Sequence, residues 1–324
     1  MPKVNLFVTA LLTTFGLLIA PISSAQNVSD KPLRIIVPQP PGGGFDFVGR
    51  VLADKMAPLI GQSIMVENKT GAGTVVGTDY VAKLPADGST ALVGSISNIV
   101  MNPWLYKNLP YDPIKDFEPV GFAISYSYTL IGRKGLPFNT LQGLIQYAKE
   151  NPGKLTYASG GNGSPQHIGM EMLRQMTGAP LVHIPYKGAA APVTDVMAGQ
   201  VPMMISALAV VLPHIKAGKL KAIAITSSKR SLLLQDVPTV AETVPGYELM
   251  AWAALVAPKG TPNDVINKLN DAITQVLKDP KMKEQIIAQG FELVPTGQAA
   301  YNQANKDGFN RMRKIIKDGG ISLD

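Results

Sequence analysis

Short apolar runs alternate with helical stripes along most of this chain. The runs are bounded by turn residues, which is typical of buried strands. They predict strands at residues 33–37, 63–67, 90–94, 155–159, 182–184, 201–205 and 220–226. Apolar residues spaced by three or four predict helices between them, over about 47–60, 75–84, 165–177 and 191–198. This alternation indicates an α/β fold.

Two longer extended stretches, at residues 117–134 and 250–257, stand apart from these short strands. Each is apolar and long enough to cross between two domains. The chain has 324 residues, and a single hydrophobic core rarely serves so many. The crossing segments therefore predict a discontinuous first domain, at 26–122 and 252–324, around a second domain at 123–251.

The chain after the second crossing segment is mostly helical. Helices are predicted to begin at Thr261–Asp264 and at Asp279–Pro280, and a last helix is predicted over about 298–317. A short strand is predicted at 291–294. These helices need a surface to pack on, and the first domain is expected to supply it.

Two of the predicted strands run into a glycine-rich turn and then directly into a helix. The first turn is Pro40–Asp46 and the second is Gly160–His167. Glycine leaves backbone N–H groups open to a ligand, and the helix that follows adds unpaired donors and the positive end of its dipole. One such turn is a typical anion site. Two, in different halves of the chain, predict a pair of loops that grip an anionic ligand from both sides.

Helix-terminus signals accompany both turns. Asp46 is predicted to be the N-cap of the helix after the first turn. After the second turn, Ser164 is predicted at the N-cap, Pro165 at the first helical position and Gly178 just beyond the end. The limits of the second helix therefore follow from its own sequence.

Residues 1–25 have the features of a secretory signal peptide. Lys3 provides a positive charge, residues 6–19 are largely apolar, and Ser23–Ala25 offers small residues for cleavage near Ala25. A retained membrane anchor is the alternative, but the apolar run is shorter than the ~20 residues that a span needs. We therefore predict export.

The composition removes several classes of function. The chain has no cysteine, which excludes thiol catalysis, cysteine zinc sites and a lipid-anchored cysteine. Its formal net charge is +7, but the basic residues are scattered, with small groups only at Lys229–Arg230 and 311–317. This scatter and the predicted export argue against nucleic acid as a partner. A modest positive field favours small anionic ligands.

The sequence has no motif for a nucleotide or a metal. The glycine turns lack the lysine of a P-loop, and Gln166 occupies the third glycine position of the dinucleotide fingerprint. The three histidines have no metal-ligand spacing, so no metal or cofactor is expected. His183 and His214 are assigned structural roles. His167 either donates to a bound carboxylate or packs within its helix.

A secreted hydrolase is the competing hypothesis. Ser164 and His167 are three residues apart and share one side of a helical turn. A nucleophile and base also need an orienting third group and an oxyanion hole, and the sequence indicates neither. Capping already explains Ser164, so we predict that the protein is not an enzyme.

Eight segments, in order along the chain, resemble the signatures of one family. Pro40–Asp46, with Arg50 four residues on, is similar to the signature loop of the tripartite tricarboxylate transporter substrate-binding proteins, also called the Bug family. The other similar segments are Val66–Gly73, Pro85–Thr90, Tyr111–Phe117, Pro119–Val120, Gly161–His167, Pro185–Gly188 and Asp236–Thr239 with Glu242. The resemblance spans nearly all of the chain after the predicted leader.

The resemblance implies a type II periplasmic binding protein, with two α/β domains, two crossing strands and a ligand held between the domains. In the family, the first turn and the second domain's glycine turn grip a carboxylate-bearing solute. The positions that would bind it here are Gly42, Gly43, Gly44, Phe45, Asp46, Ser95, Ser97, Asn98, Ser159, Gly160, Gly161, Gly163, Ser164, His167, Tyr186 and Lys187.

The resemblance further implies a periplasmic receptor that closes by a hinge motion around its ligand. A monomer is expected, and its partners would be membrane transporter subunits or a sensor kinase. The solute stays open among dicarboxylates, tricarboxylates, acidic amino acids and aromatic acids.

Two positions depart from the family pattern. Pro202 follows Val201 where many relatives carry an aspartate, which removes a possible hydrogen-bond acceptor. Phe45 and Phe47 flank Asp46, and an aromatic ring beside the anion site would favour a flat or apolar ligand body. Of the two, Phe47 is expected to face the core.

Overall fold

The computed structural model describes residues 31–42, 44–188, 190–292, 295 and 297–323. The predicted leader, the predicted ligand residue Gly43 and half of the predicted strand at 291–294 lie outside the described residues.

Nine strands form one sheet in this part of the chain. They are β1 (Leu33–Val37), β2 (Ile64–Asn68), β3 (Thr90–Ser95), β4 (Phe117–Gly132), β5 (Thr156–Ser159), β6 (Val182–Pro185), β7 (Met203–Ala207), β8 (Lys221–Ile225) and β9 (Met250–Pro258). Their order is β2-β1-β3-β9-β4-β7-β5-β6, and β8 pairs with β4. Strands β1, β2 and β3 form one parallel group, and β5, β6 and β7 form another.

Helices cover both groups of strands. They are α1 (Gly44–Ile60), α2 (Val75–Ala82), α3 (Asn102–Leu105), α4 (Leu141–Glu150), α5 (Pro165–Thr177), α6 (Ala190–Ala198), α7 (Leu208–Lys216), α8 (Asn263–Lys278), α9 (Pro280–Ala288) and α10 (Gln298–Asp318). A π-helical segment, Ile96–Met101, joins β3 to α3. Among the described residues, no helix combines the length and apolar character needed to cross a membrane.

Strand β4 belongs to both halves of the sheet. Its first part pairs antiparallel with β9, from Phe117 opposite Pro258 to Ser127 opposite Met250. From Tyr128 onwards it pairs with β7 and β8 instead. Strand β9 continues the sheet to β3. The two predicted crossing segments therefore join the two parallel groups, while the exact domain limits at 122/123 and 251/252 stay a prediction.

The seven short strands predicted between residues 33 and 226 and most predicted helices are confirmed at or near their expected positions. Of the strand predicted at 291–294, the described residues show only an isolated bridge between Glu292 and Ser125. Ser164, Pro165 and Gly178 mark the ends of α5 as predicted. The prediction that Asp46 is an N-cap is wrong, because α1 begins at Gly44 and Asp46 lies inside its first turn. Helices α4 and α7 and the π-helical segment were not predicted.

The C-terminal helices pack on the helices of the first half and on β4, as predicted. Helix α8 contacts α1 and β4, and α9 packs on α8. Helix α10 contacts β4, α3 and the π-helical segment, and its last turn also reaches α5 in the other half. There the side-chain amide of Gln175 donates to the Ile315 carbonyl at 3.1 Å. Helix α10 therefore touches both halves of the molecule.

One buried hydroxyl ties together the strands at the junction. Thr226, just after β8, accepts from the N–H of Tyr128 at 2.8 Å. Its hydroxyl also lies 2.7 Å from the carbonyl of Leu249, the residue before β9, and 3.0 Å from the carbonyl of Tyr128. Thr226 is fully buried, so water cannot replace these bonds.

Replacing Thr226 with valine is expected to lower the free energy of unfolding by about 1–3 kcal/mol, because it leaves the buried Tyr128 N–H without this acceptor. Urea denaturation measures the change. Thr243→Val, at an exposed threonine, is the matched control and is expected to have little effect. Equal losses of stability in the two variants would contradict the role of the Thr226 hydroxyl in holding the strands together.

Candidate functional site

The sheet topology brings the carboxyl ends of both parallel groups to the same stretch of β4. The end of β3, Ser95, lies opposite Ala253 of β9, which in turn lies opposite Ile124. The end of β7, Ala207, lies opposite Tyr128. Because strands in a parallel group end at one edge, the turns after β1, β3, β5, β6 and β7 all face this junction. Ligands of open α/β sheets bind at such carboxyl edges.

The first turn is held by the carboxylate of Asp46. Its oxygens accept from the N–H of Gly42 at 2.9 Å, from Nε of Arg50 at 3.0 Å and from the amide of Asn68 at 2.9 Å. Burial alone would raise the pKa of Asp46, but these hydrogen bonds outweigh it and hold the pKa below its ordinary value. The first turn therefore already contains an anion of its own.

Aromatic rings pack beside the first turn. Phe45 is 2% exposed and lies against Tyr126, with ring centroids 6.0 Å apart. Phe47 is only partly buried and stacks on Phe291 at 5.0 Å. Both rings pack on the core, and the expectation that Phe47 is the more core-facing of the two is wrong. Phe45 has the more buried ring because it points toward β4.

At the end of β3 and in the π-helical segment, some polar side chains are hydrogen-bonded within the protein and one is not. The carboxamide oxygen of Asn98 accepts from the N–H and the hydroxyl of Ser95, each at 2.7 Å, and its amide donates to Thr78 at 3.0 Å. Ser95 and Asn98 are fully buried and hold the π-helical segment in place. Ser97 is also buried, but its hydroxyl has no partner among the described residues. Of these three predicted ligand residues, only Ser97 has a free side-chain group.

The second turn is ordered by hydrogen bonds within itself. The hydroxyl of Ser159 accepts from the N–H of Gly161 at 3.0 Å. Ser164 donates its hydroxyl to the carbonyl of Gly161 at 2.7 Å and accepts from the N–H of His167 at 3.3 Å. The ring Nδ1 of His167 accepts from the N–H of Gly163 at 3.1 Å. The structure thus brings Ser159, Gly161, Gly163, Ser164 and His167 together.

Two glycines in this turn permit close approaches. Gly161 has φ +126, and a Cβ there would lie 2.9 Å from the carbonyl oxygen of Tyr186. Gly163 has φ +71, and its Cβ would lie 2.6 Å from Leu323 and 3.0 Å from Leu105. Leu105 belongs to α3 in the first half, so Gly163 places the second turn against that half.

Backbone donors in the second turn are left over. In the described part of the chain, the N–H groups of Gly160, Asn162 and Gln166 have no protein acceptor. They lie in the turn and the first turn of α5, where the helix dipole is positive. This is the donor pattern expected of an anion site.

The segment Tyr186–Gly188 runs alongside the second turn. The N–H of Tyr186 donates to the Ser159 carbonyl, and that of Gly188 donates to the Gly160 carbonyl. The hydroxyl of Tyr186 donates to Asp195 at 2.7 Å, which raises the pKa of that tyrosine. Lys187 between them is exposed. Tyr186 therefore holds the turn through its backbone, and its hydroxyl is already paired.

Two histidines predicted to have separate roles form one stack. The rings of His167 and His183 lie 4.0 Å apart and nearly parallel, and the ring of Tyr157 also stacks on His183 at 5.0 Å. Nε2 of His183 lies 2.6 Å from the Ser159 hydroxyl. Burial, and next the neighbouring His167, lower the pKa of His183 from 6.5 to about 4. Burial also lowers the pKa of His167. Both rings are neutral at pH 7.

The geometry of Ser164 and His167 does not match a nucleophile and its base. The Ser164 hydroxyl donates to a backbone carbonyl, and Nδ1 of His167 accepts from the Gly163 N–H. Neither group is positioned to transfer a proton to the other.

Sequence reasoning missed the buried hydroxyl side chains of β4. Ser125 and Thr129 are buried, and their hydroxyls have no partner in the part of the chain that the structure describes. Both lie at or beside the junction. The signal was available, because polar residues alternate with Tyr126 and Tyr128 inside an otherwise apolar crossing strand.

No hydrogen bond among the described residues joins the first turn to the second. The two turns share the junction but remain separate groups. The described residues also contain no cluster of three or more histidine or carboxylate side chains that could hold a metal ion. Pro202 has no hydrogen bond to either turn among the described residues. Its carbonyl accepts from the N–H of Arg133.

Comparison with known proteins identifies the family. The sequence model of the tripartite tricarboxylate transporter family receptor, TctC, matches residues 48–321. The chain belongs to the TctC family. Protein BugT of Bordetella pertussis is 35% identical to this TctC chain over 322 residues, which cover 97% of the chain and 99% of BugT.

Solved structures of similar proteins have the same fold. Rpa4515 of R. palustris, determined with adipate, is 32% identical with a TM-score of 0.84, covering 90% of this chain and 99% of Rpa4515. MatC of Rhodopseudomonas palustris, with bound malate, is 29% identical with a TM-score of 0.80, covering 88% of this chain and 99% of MatC. The TctC chain therefore has the α/β fold of the periplasmic binding proteins, as the resemblance implied.

Ser95 and Ser97 are expected to respond differently to removal of the hydroxyl. Ser95→Ala removes a buried donor to Asn98 and is expected to lower the free energy of unfolding by about 1 kcal/mol or more. Ser97→Ala removes an unpaired hydroxyl and is expected to leave the stability unchanged or slightly higher. Chemical denaturation of both variants checks this, and a similar loss in both would contradict the assignment.

The histidine stack predicts a pH dependence of stability. Because the pKa of His183 is lowered from 6.5 to about 4, the neutral ring stabilises the fold fully above pH 6.5. This contribution is lost as the pH falls from 6.5 toward 4, since the unfolded chain then binds more protons. Urea denaturation between pH 4 and 7 should show the decline. His183→Gln should make the free energy of unfolding depend less steeply on pH. His214→Gln, at a histidine outside the stack, should leave this dependence unchanged.

Proposed function

We propose that this chain is a periplasmic solute-binding receptor that captures a small dicarboxylate between its first and second turns. The observation that carries the proposal is the convergence of both carboxyl edges on Ile124–Tyr128, with free N–H donors on the second turn. Two relatives of the same fold, Rpa4515 and MatC, were determined with adipate and malate, which are both dicarboxylates.

The two turns would hold the ligand unequally. The second turn offers the N–H groups of Gly160, Asn162 and Gln166 at the positive end of α5, so one carboxylate would bind there. The first turn already contains the Asp46 carboxylate, paired with Arg50. There the ligand would meet the backbone N–H of Gly44 at the start of α1 and, from the neighbouring π-helical segment, the unpaired hydroxyl of Ser97.

Closure would follow from this division of contacts. An open molecule offers the ligand only one turn, whereas a closed one offers both and excludes water, which strengthens charge-assisted hydrogen bonds. The ligand then favours the closed state by the difference between its two affinities. Hinge closure of this kind is common to periplasmic binding proteins. We propose that the closed form is delivered to membrane transporter subunits, and no bond-breaking chemistry is required.

A thermal-shift titration of the protein without its leader tests the proposal. Adipate, malate, tricarboxylates, acidic amino acids and aromatic acids form the panel. A ligand at ~100 times its dissociation constant should stabilise the fold by about 2.7 kcal/mol. Asn162→Asp places a carboxylate among the free N–H groups and is expected to weaken dicarboxylate binding about tenfold or more, from charge repulsion.

Three matched variants make this test decisive. Asn162→Ala removes the side chain without adding charge and should bind nearly as well as the wild type. Asn263→Asp adds the same charge at an exposed position on α8 and should not affect binding. Ser97→Ala should bind a few-fold more weakly at unchanged stability. The proposal fails if no dicarboxylate stabilises the protein. It also fails if the Asn162→Asp and Asn263→Asp variants bind dicarboxylates with the same affinity.

A further inference from the structure

A groove runs along one side of α5, next to β6 at the edge of the sheet. Its volume is about 540 Å³, within the range of small-molecule sites. Helix α5 and β6 form one wall, and the segment Gly319–Ser322 after α10 forms the other. The groove begins at Asn162 beside the second turn and extends to Leu181 and Val182, where β6 starts. We call it the lateral groove.

Two donors line this groove without a complete set of partners. Arg174 donates through Nε to Glu171 at 2.8 Å, and its Nη groups have no protein acceptor within the described ranges. His167 is 9% exposed, and its Nδ1 accepts from the Gly163 N–H. A neutral ring in that arrangement carries its proton on Nε2, which has no protein acceptor among the described residues. The groove thus presents one guanidinium and one buried N–H donor.

The acid in the groove does not offset these donors. Glu171 accepts from the hydroxyl of Tyr157 at 3.0 Å and from Arg174, so both of its oxygens are in use. A bound cation would compete with these bonds and lie beside Arg174. The unused groups of Arg174 and His167 are both donors, which favours an anion.

The far end of the groove is apolar. Leu181, Val182 and Ile321 line it, and Val182 is 40% exposed at the start of β6. Covering these side chains would remove apolar surface from water. A ligand that satisfies both ends needs an anionic group and an apolar body.

We propose that the lateral groove is a second binding site, for a small carboxylate with an apolar body. Its carboxylate would bind Arg174 and Nε2 of His167, and its body would cover Leu181, Val182 and Ile321. This site goes beyond the proposed function, because the first turn does not line it.

Occupation of the groove would also join the two halves of the molecule. The wall formed by Gly319–Ser322 continues into Leu323, whose N–H donates to the carbonyl of Leu105 in α3. The opposite wall belongs to the second group of strands. A ligand between the walls therefore stabilises the arrangement in which the C-terminal segment lies against α5.

Methyl NMR of the protein without its leader, titrated with benzoate, tests the proposal. The methyl signals of Leu181, Val182 and Ile321 are expected to shift together, with one dissociation constant. Arg174→Gln should weaken this binding about tenfold or more, because it removes a charge-assisted hydrogen bond. Lys216→Gln, which removes one positive charge at an exposed site on α7, should leave it unchanged. Inorganic phosphate, which has no apolar body, should bind more weakly than benzoate.

The proposal is overturned if the groove methyl signals do not move, or if Arg174→Gln and Lys216→Gln bind benzoate equally. Equal binding of phosphate would overturn the assignment of an apolar body. Arg174→Gln is expected to keep the wild-type thermal response to dicarboxylates, so the two sites can fail separately. Loss of both responses in Arg174→Gln would show a single shared site and would also refute the proposal.

Discussion

The antiparallel pairing of β4 with β9 is the interaction on which the rest of the structure depends. Strand β4 pairs with β9 in its first part and with β7 and β8 in its last, and β9 carries the sheet on to β3. Each parallel group joins these two strands through one of its own strands, β3 along β9 and β7 along β4. That geometry, rather than any single side chain, makes turns that are distant in sequence face one another.

The two turns solve the same electrostatic problem in different ways. Both precede a helix whose first N–H groups need acceptors. In the first turn, Asp46 supplies a permanent negative charge, and Arg50 and Asn68 balance it. In the second, Ser164 and the neutral ring of His167 accept two of the N–H groups and others remain open. The second turn is thus the more electropositive of the two, although none of its own side chains is charged.

Local signals in the sequence determined much of this fold and less of the site. The serine, proline and glycine around α5 act within their own helix, so their effect could be predicted. Helix α7 contains Pro213, which usually interrupts a helix, and it was missed. Ser95 and Ser97 are alike in sequence, and only the fold shows that Asn98 pairs with one of them. Its own orientation depends on Thr78, twenty residues earlier. The lateral groove combines α5 and β6 with residues 319–322, and no local pattern connects them.

The order of the strands also constrains how the chain can fold. Strand β3 pairs with β1 on one side and with β9 on the other, and β9 is synthesised only after the whole second group of strands. Helices α8 and α10, which cover the first group, come later still. Contacts between residues so far apart in sequence close large loops and slow folding. The first group of strands therefore stays incomplete, with one edge of β3 unpaired, until nearly the entire polypeptide is available. Completion of the first half therefore depends on the C-terminal quarter of the chain.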